Sequence, residues 1–206
     1  MKFKNNFLGI RIKGLKTFRH YRAARALHWV LVPSFFVLAA SGFYINKPSR
    51  GRGFRSMDSA RRAHFTAQYF FGLYFLARAY HALVTKNYRG MFLRDEDLTA
   101  MPKFAAYEFF LRNKKPKYPK YNPGQKLLFT LMLVILPMQI ITGAALYATV
   151  KLQKLSRIFG GLNMTRLVHY FTAVGLSCIV AGHMYFALTD SLGKLKSIFT
   201  GYFRPK

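Results

Sequence analysis

Residues 127–150 read LLFTLMLVILPMQIITGAALYATV, an unbroken run without a charged side chain. As an α-helix at 1.5 Å per residue it measures about 36 Å, more than the hydrocarbon core of a bilayer. A helix of a soluble bundle needs a polar face along its length, and a run with no charge at all does not supply one. Its solvent is lipid. Three more stretches, 23–45, 63–84 and 167–188, have comparable length and apolar content, although His28 interrupts the first and Arg78 and His81 fall near the end of the second. The expected fold is all-α: an integral-membrane bundle of four spanning helices, one domain over 1–206, with 85–126 as its long loop.

The whole composition agrees with segregation into greasy and basic blocks. The 206 residues carry 33 Lys and Arg against 6 Asp and Glu, a formal charge of +27, yet 52% are hydrophobic and 17% aromatic. A disordered chain of this basicity is poor in aromatics. Cys178 is the one cysteine, which excludes disulfides within the chain, thiolate zinc sites, iron–sulfur clusters and covalent C-x-x-C-H haem attachment. The first apolar stretch follows a basic arm and is too long for the apolar core of a cleavable signal, so it is expected to stay as an anchor. No internal repeat or low-complexity tract is visible.

Charge sets the expected orientation. The N-terminal arm, the loop from Lys86 to Lys120 and the tail together hold twenty-one Lys and Arg, and the two opposite connections hold nine. The positive-inside rule places both termini in the cytoplasm, making the chain a multi-pass protein of the cytoplasmic (inner) membrane. A cationic rim facing anionic lipid accounts for the charge, and no nucleic acid is needed. Within the long loop, Leu98 to Arg112 alternates apolar and polar residues at helical spacing, as an interfacial helix does, and Pro116, Pro119 and Pro123 then return the chain in extended form.

Histidines inside spans are functional candidates, because an unpaired polar group in hydrocarbon is costly. With the spans alternating in direction, His28 and His183 lie at the cytoplasmic depth, and His64 and His169 at the outer depth. Fourteen residues separate His169 from His183, about 40° short of four turns, so the two share one helix face about 21 Å apart. Alone, each is most simply an interfacial residue bonded to a neighbouring carbonyl. Four on three helices, paired by depth, suit two haems, each gripped by two imidazoles whose Nε2 binds iron while Nδ1–H is held by an acceptor. Gly42, Gly72, Gly143, Gly175 and Gly182 admit either a flat cofactor or a close helix. Arg25 and Lys126 on the inner side, and Arg62 and Arg166 on the outer, are candidate partners for haem propionates. His20 is expected to be a solvated arm residue, and His81, about 100° off the face of His64, to be no ligand of the same haem.

At these residues the chain resembles the membrane cytochrome b subunit of respiratory nickel–iron hydrogenases, which shares its fold with the gamma subunit of formate dehydrogenase. The similarity is carried by Arg25-Ala26-Leu27-His28-Trp29 with Ser41-Gly42, by Arg62-Ala63-His64-Phe65 with Arg78, by Tyr121-Asn122-Pro123-Gly124-Gln125-Lys126, and by His169 and His183. It implies two b-type haems with the pairing that depth gives. It also implies a quinone pocket at Asn122, Gly124, Gln125 and His183, with menaquinone the first choice of quinone. The implied partners are an iron–sulfur subunit and a catalytic dehydrogenase, hydrogenase before formate dehydrogenase, and the chain then serves as a quinone-reactive electron-transfer subunit. Two alternatives stay open: a stand-alone cytochrome b oxidoreductase, and a haem-free scaffold or transporter whose histidines form a proton relay.

Overall fold

The computed structural model describes residues 16–49, 53–86, 88–118 and 120–203. Among the cations counted above, Lys2, Lys4, Arg11 and Lys13 of the arm, Arg50 and Arg52 of the first opposite connection, and Arg204 and Lys206 of the tail lie outside them, as does Pro119. The elements run β1 (Thr17–Phe18), α1 (Arg22–Asn46), α2 (Met57–Thr85), α3 (Asp95–Glu108), α4 (Pro123–Tyr147), α5 (Gln153–Ile158), α6 (Leu162–Asp190), α7 (Leu192–Thr200) and β2 (Tyr202–Phe203). Helices α1 and α2 pack along each other as one hairpin and α4 and α6 as a second, and the two hairpins approach each other much less closely. Side chains close the ring: Tyr69 and Tyr147 hydroxyls meet at 2.9 Å between α2 and α4, and Phe43 meets Tyr170 between α1 and α6. The molecule thus has a turn end, where α1 leads to α2 and α4 to α6, and a terminal end. There β1 pairs antiparallel with β2, Thr17 opposite Phe203, and ties the two extremities of the described chain together.

Local chemistry explains where the helices start. Ser56 and Ser59 form a reciprocal capping box, so α2 begins six residues before the apolar stretch at 63. Half of the acidic residues, Asp95, Glu96 and Asp97, fill the first turn of α3, where they oppose the helix dipole. That is why α3 spans Asp95–Glu108 and not the expected 98–112, and the chain leaves it at Phe110 with φ of 61°. Asn122 and Gln125 form the box at the start of α4, with Pro123 in the first helical position. Helix α6 extends the expected 167–188 at both ends.

Helices α1, α4 and α6 are long and apolar enough to cross a membrane, and α2 falls short of that composition. The charges of Arg61, Arg62 and Arg78 lower its average. Its outer face is nonetheless greasy: Leu73, Leu76, Leu83 and Val84 are 62–66% exposed.

The structure also holds a repeat that the sequence hides. The two hairpins pair helices of 25 and 29 residues each. Ser41 and Gly42 precede the last residue of α1 by five and four, as Thr142 and Gly143 precede the last residue of α4, and His64 and His169 each lie seven residues after their helix begins. Burial follows the same frame, with Ser41, Ala60, Thr142 and Thr165 all at 0% exposure.

Candidate haem-binding site

At the turn end, the two hairpins present matched imidazoles. The Ser41 hydroxyl donates to the carbonyl of Val37 at 2.5 Å and lies 2.9 Å from Nδ1 of His64. The Thr142 hydroxyl donates to the carbonyl of Met138 at 2.8 Å and lies 2.9 Å from Nδ1 of His169. A hydroxyl has one proton, and here it is engaged with the backbone of the preceding turn. Each oxygen therefore accepts from the imidazole, which fixes the proton on Nδ1 and leaves Nε2 with a bare lone pair. Imidazole binds a metal in this state. A Cβ at Gly42 would sit 3.3 Å from Cε1 of His64, and one at Gly143 the same distance from Cε1 of His169. The glycines thus let both rings lie against the neighbouring backbone. On one side the Gln139 side-chain amide lies 3.2 Å from Nε2 of His169, and its other end meets the Thr172 hydroxyl.

At the terminal end, His28 of α1 and His183 of α6 face each other across the hairpins, with ring centroids 6.4 Å apart. A metal–imidazole bond is about 2 Å, and the ring centre lies roughly 1 Å beyond the nitrogen, so an iron gripped from both sides needs centroids about 6 Å apart. His28 Nδ1 is buried without a hydrogen-bond partner. Among the described residues no group of three or more His, Cys, Asp or Glu gathers. Bare metal ions take three or four protein ligands, whereas pairs of histidines suit an iron that brings its in-plane nitrogens with it. In the repeat frame the counterpart of His28 is Phe129, and that of His183 is Arg78. Phe129 packs on His183 at 5.9 Å.

The other expected residues divide. Asn122, Gly124 and Gln125 come together at the start of α4, but Oδ1 of Asn122 and Oε1 of Gln125 are engaged in the capping box at 2.7 and 3.1 Å. Gly124 is packed against the rings of Phe104 and Phe186, where a Cβ would be within 2.6–2.8 Å of both. A cavity of about 430 Å³ reaches this turn, lined by Asn122, Phe186, Tyr185, Tyr107 and Asp190 among others, and His183 and Gln125 do not line it. Lys126 is held by Asp97, at 2.7 and 2.9 Å from its two oxygens. Arg25 donates to the carbonyl of Phe199 and keeps a buried, unpartnered Nε. Arg62 is exposed, and Arg166 bonds Asn163 on the surface. Gly175 and Gly182 pack against Ile135 and Leu128, and Gly72 has open space.

His20 differs from expectation. It is half-buried and its amide donates to Gly201; burial, with Lys120 and Arg19 beside it, pushes its imidazole down to about 3. It is no solvated arm residue, because the β1–β2 pairing folds the arm inward. His81 faces Tyr21, with its Nδ1 buried and unpartnered. The roles of Ser41, Thr142 and Gln139 were missed by sequence reasoning, although a hydroxyl-glycine dipeptide near the end of both α1 and α4 was there to be seen.

Residues 19–201 match the family model described as prokaryotic cytochrome b561. A probable Ni/Fe-hydrogenase B-type cytochrome subunit of Azotobacter vinelandii is 30% identical over 196 residues, covering 85% of this chain and 82% of that protein. Proteins of the same description from Azotobacter chroococcum mcd 1 and Cupriavidus necator are 29% and 26% identical, covering 85% and 90% of this chain and 82% and 85% of their own lengths. With the family model spanning nearly all of the described helices, and histidines poised in pairs between them, the chain belongs to the prokaryotic cytochrome b561 family, the membrane cytochromes b of hydrogenases.

Proposed function

We propose that this chain is the dihaem membrane subunit of a nickel–iron hydrogenase complex and carries electrons across the cytoplasmic membrane to quinone. The observation that carries the proposal is the matched pair of hydroxyl-held imidazoles, His64 and His169, stacked in sequence of depth with the facing pair His28 and His183. All four long helices span the bilayer, α2 included, because its exposed leucines and valine face the same solvent as those of α4. Both termini are cytoplasmic, as the excess of Lys and Arg at the terminal end requires.

A b-type haem held by such a histidine pair would supply one-electron exchange. The chain's own residues do the rest. His64 and His169 offer Nε2 from opposite hairpins at the turn end, with Ser41 and Thr142 holding Nδ1–H so that the rings cannot turn away. His28 and His183 face each other from opposite hairpins at the terminal end, without a hydroxyl on Nδ1 of His28. Arg62 and Arg166, at the outer side, and Arg25, at the inner, are candidate partners for haem propionates, and Lys126 is held by Asp97. The iron–sulfur subunit docks on the short connections of the turn end. Quinone, menaquinone in the first instance, reacts at the start of α4 beside Asn122, Gly124, Gln125 and His183. The support is the ligand-sized cavity that reaches Asn122, together with the side-chain amide nitrogens of Asn122 and Gln125, which the capping box does not use. Electrons entering outside and protons taken up inside move charge across the bilayer, about 2.3 kcal/mol per charge per 100 mV.

One observation favours a haem-free proton relay: Thr172, Gln139, His169 and Thr142 form a continuous hydrogen-bonded chain. It does not cross the bundle, and at the terminal end Nδ1 of His28 is buried without a hydrogen-bond partner. The test is hydrogen-driven reduction in membranes carrying the chain with its hydrogenase. A b-type absorbance that rises under hydrogen and falls on adding a quinone analogue is expected. No reduction under hydrogen, with the hydrogenase itself active, would contradict the proposal.

A further inference from the structure

Three cations converge at the terminal end without an acid. Arg19 donates to the carbonyl of Lys120 at 2.8 Å, and the Lys120 ammonium donates back to the carbonyl of Arg19 at 3.1 Å. Both reach over the ring of Tyr121, at 5.7 and 5.2 Å from its centroid. Burial, with the guanidinium groups of Arg19 and of Arg78 on α2 within electrostatic range, holds the Lys120 ammonium down at about 8. Among the described residues the ion pairs are Lys126–Asp97, Lys115–Asp190 and Lys194–Asp190. Asp190 is the carboxylate within electrostatic range of Arg19, and it already holds two lysines. Like charges brought together out of water are unfavourable unless an anion joins them.

The cluster's position identifies the anion. Tyr121 packs on Phe129 at 5.2 Å, and Phe129 on His183 at 5.9 Å. Arg78 also lies within electrostatic range of His28. Arg19, Lys120 and Arg78 are each half-buried, and the rings of Tyr121 and Phe129 connect the first two to the terminal-end imidazole pair. We propose that Arg19, Arg78 and Lys120 form the clamp for the two carboxylates of the haem held between His28 and His183, an inference that rests on the haem reading of that pair. Guanidinium and ammonium donors give carboxylates short, charge-assisted hydrogen bonds. The phosphate of an anionic phospholipid has the same acceptor chemistry, and the test separates the two sources.

The experiment is a spectroscopic redox titration of the whole complex, purified in mild detergent, for Arg19→Gln, Arg78→Gln, Lys120→Gln and the Arg19→Gln/Lys120→Gln double variant. A nearby cation favours the reduced iron, so each glutamine variant should lower the midpoint potential of the haem that His28→Ala removes. The double variant should lower it most, the other haem should move far less, and Arg78→Lys should restore most of the loss. Lys120 lies in a loop, so its variant keeps the test open should Arg78→Gln fail to assemble. Unchanged potentials in the double variant with full haem content would overturn the clamp. So would native mass spectrometry in which that variant loses a bound anionic phospholipid while both potentials stay put. Retention of both haems in His28→Ala is a different failure: it removes the ligand pair, and the clamp with it, without any clamp variant.

Discussion

The two ends of the bundle are built on different rules. At the turn end the hairpins repeat each other: hydroxyl, glycine and histidine recur at the same helix positions, and both imidazoles have Nδ1 satisfied at 2.9 Å. At the terminal end the frame is broken, since His28 stands where the other hairpin has Phe129, and His183 where the first has Arg78. There His28 Nδ1 has no partner, and among the described residues Arg19, Arg78 and Lys120 form no ion pair. The difference separates a site completed by helix packing alone from one whose polar atoms still require something that the chain does not contain. It also places the loops, the arm and α3 at the end where chemistry with water-borne protons is possible.

The largest effect should come from filling the turn-end glycines. Gly42→Leu and Gly143→Leu drive a side chain into His64 and His169, and each variant should lose the turn-end haem, leaving one haem per chain by pyridine haemochrome assay. Full haem content in either variant would break the claim that the glycines shape the site. Next come the hydroxyls. Ser41→Ala and Thr142→Val each strand a buried N–H, a cost of about 1–3 kcal/mol, and should weaken haem retention by roughly 10- to 100-fold. Because the hairpins repeat, the two losses should be alike; a large effect from one and none from the other would show that the repeat is only geometric.

A smaller effect is expected at the terminal end, and it is one of pH. His20 is held at about 3, below the ordinary 6.5, first by burial and then by Lys120, Arg19, His28 and Arg25. Protonation is therefore disfavoured in the folded chain, and the native state loses stability as pH falls from 6.5 toward 3. His20→Gln should flatten the fall in melting temperature over that window, and an unchanged slope would mean that the arm is not packed as described. Smallest of all, Arg166→Gln removes an exposed contact to Asn163 and should change stability by less than about 0.5 kcal/mol in thermal melts.

Much of this was legible in the sequence. Long apolar runs located α1, α4 and α6, and depth within the spans marked four histidines as candidates because an ionisable group in a span needs a reason. Helix boundaries were less accessible. The starts of α2 and α3 depend on Ser56 and on the Asp95-Glu96-Asp97 cluster, which cap helices in water and leave no trace in an apolar pattern. The repeat shows in the sequence only as Ser41-Gly42 and Thr142-Gly143, because it lies in helix register and the identities around them, Phe43-Tyr44 against Ala144-Ala145, do not match. The sequence also suggested Lys126 as a haem partner. It could not reveal that α3 folds back to place Asp97 within 2.7 Å.

The pairing of ligands across hairpins is the central claim, and single-histidine variants of the purified complex test it most directly by low-temperature optical and EPR spectra. Two spectrally distinct haems are expected in the parent. His64→Ala and His169→Ala should erase the same one, and His28→Ala and His183→Ala the other. Loss of one common haem in His28→Ala and His64→Ala, with the second intact, would contradict the account.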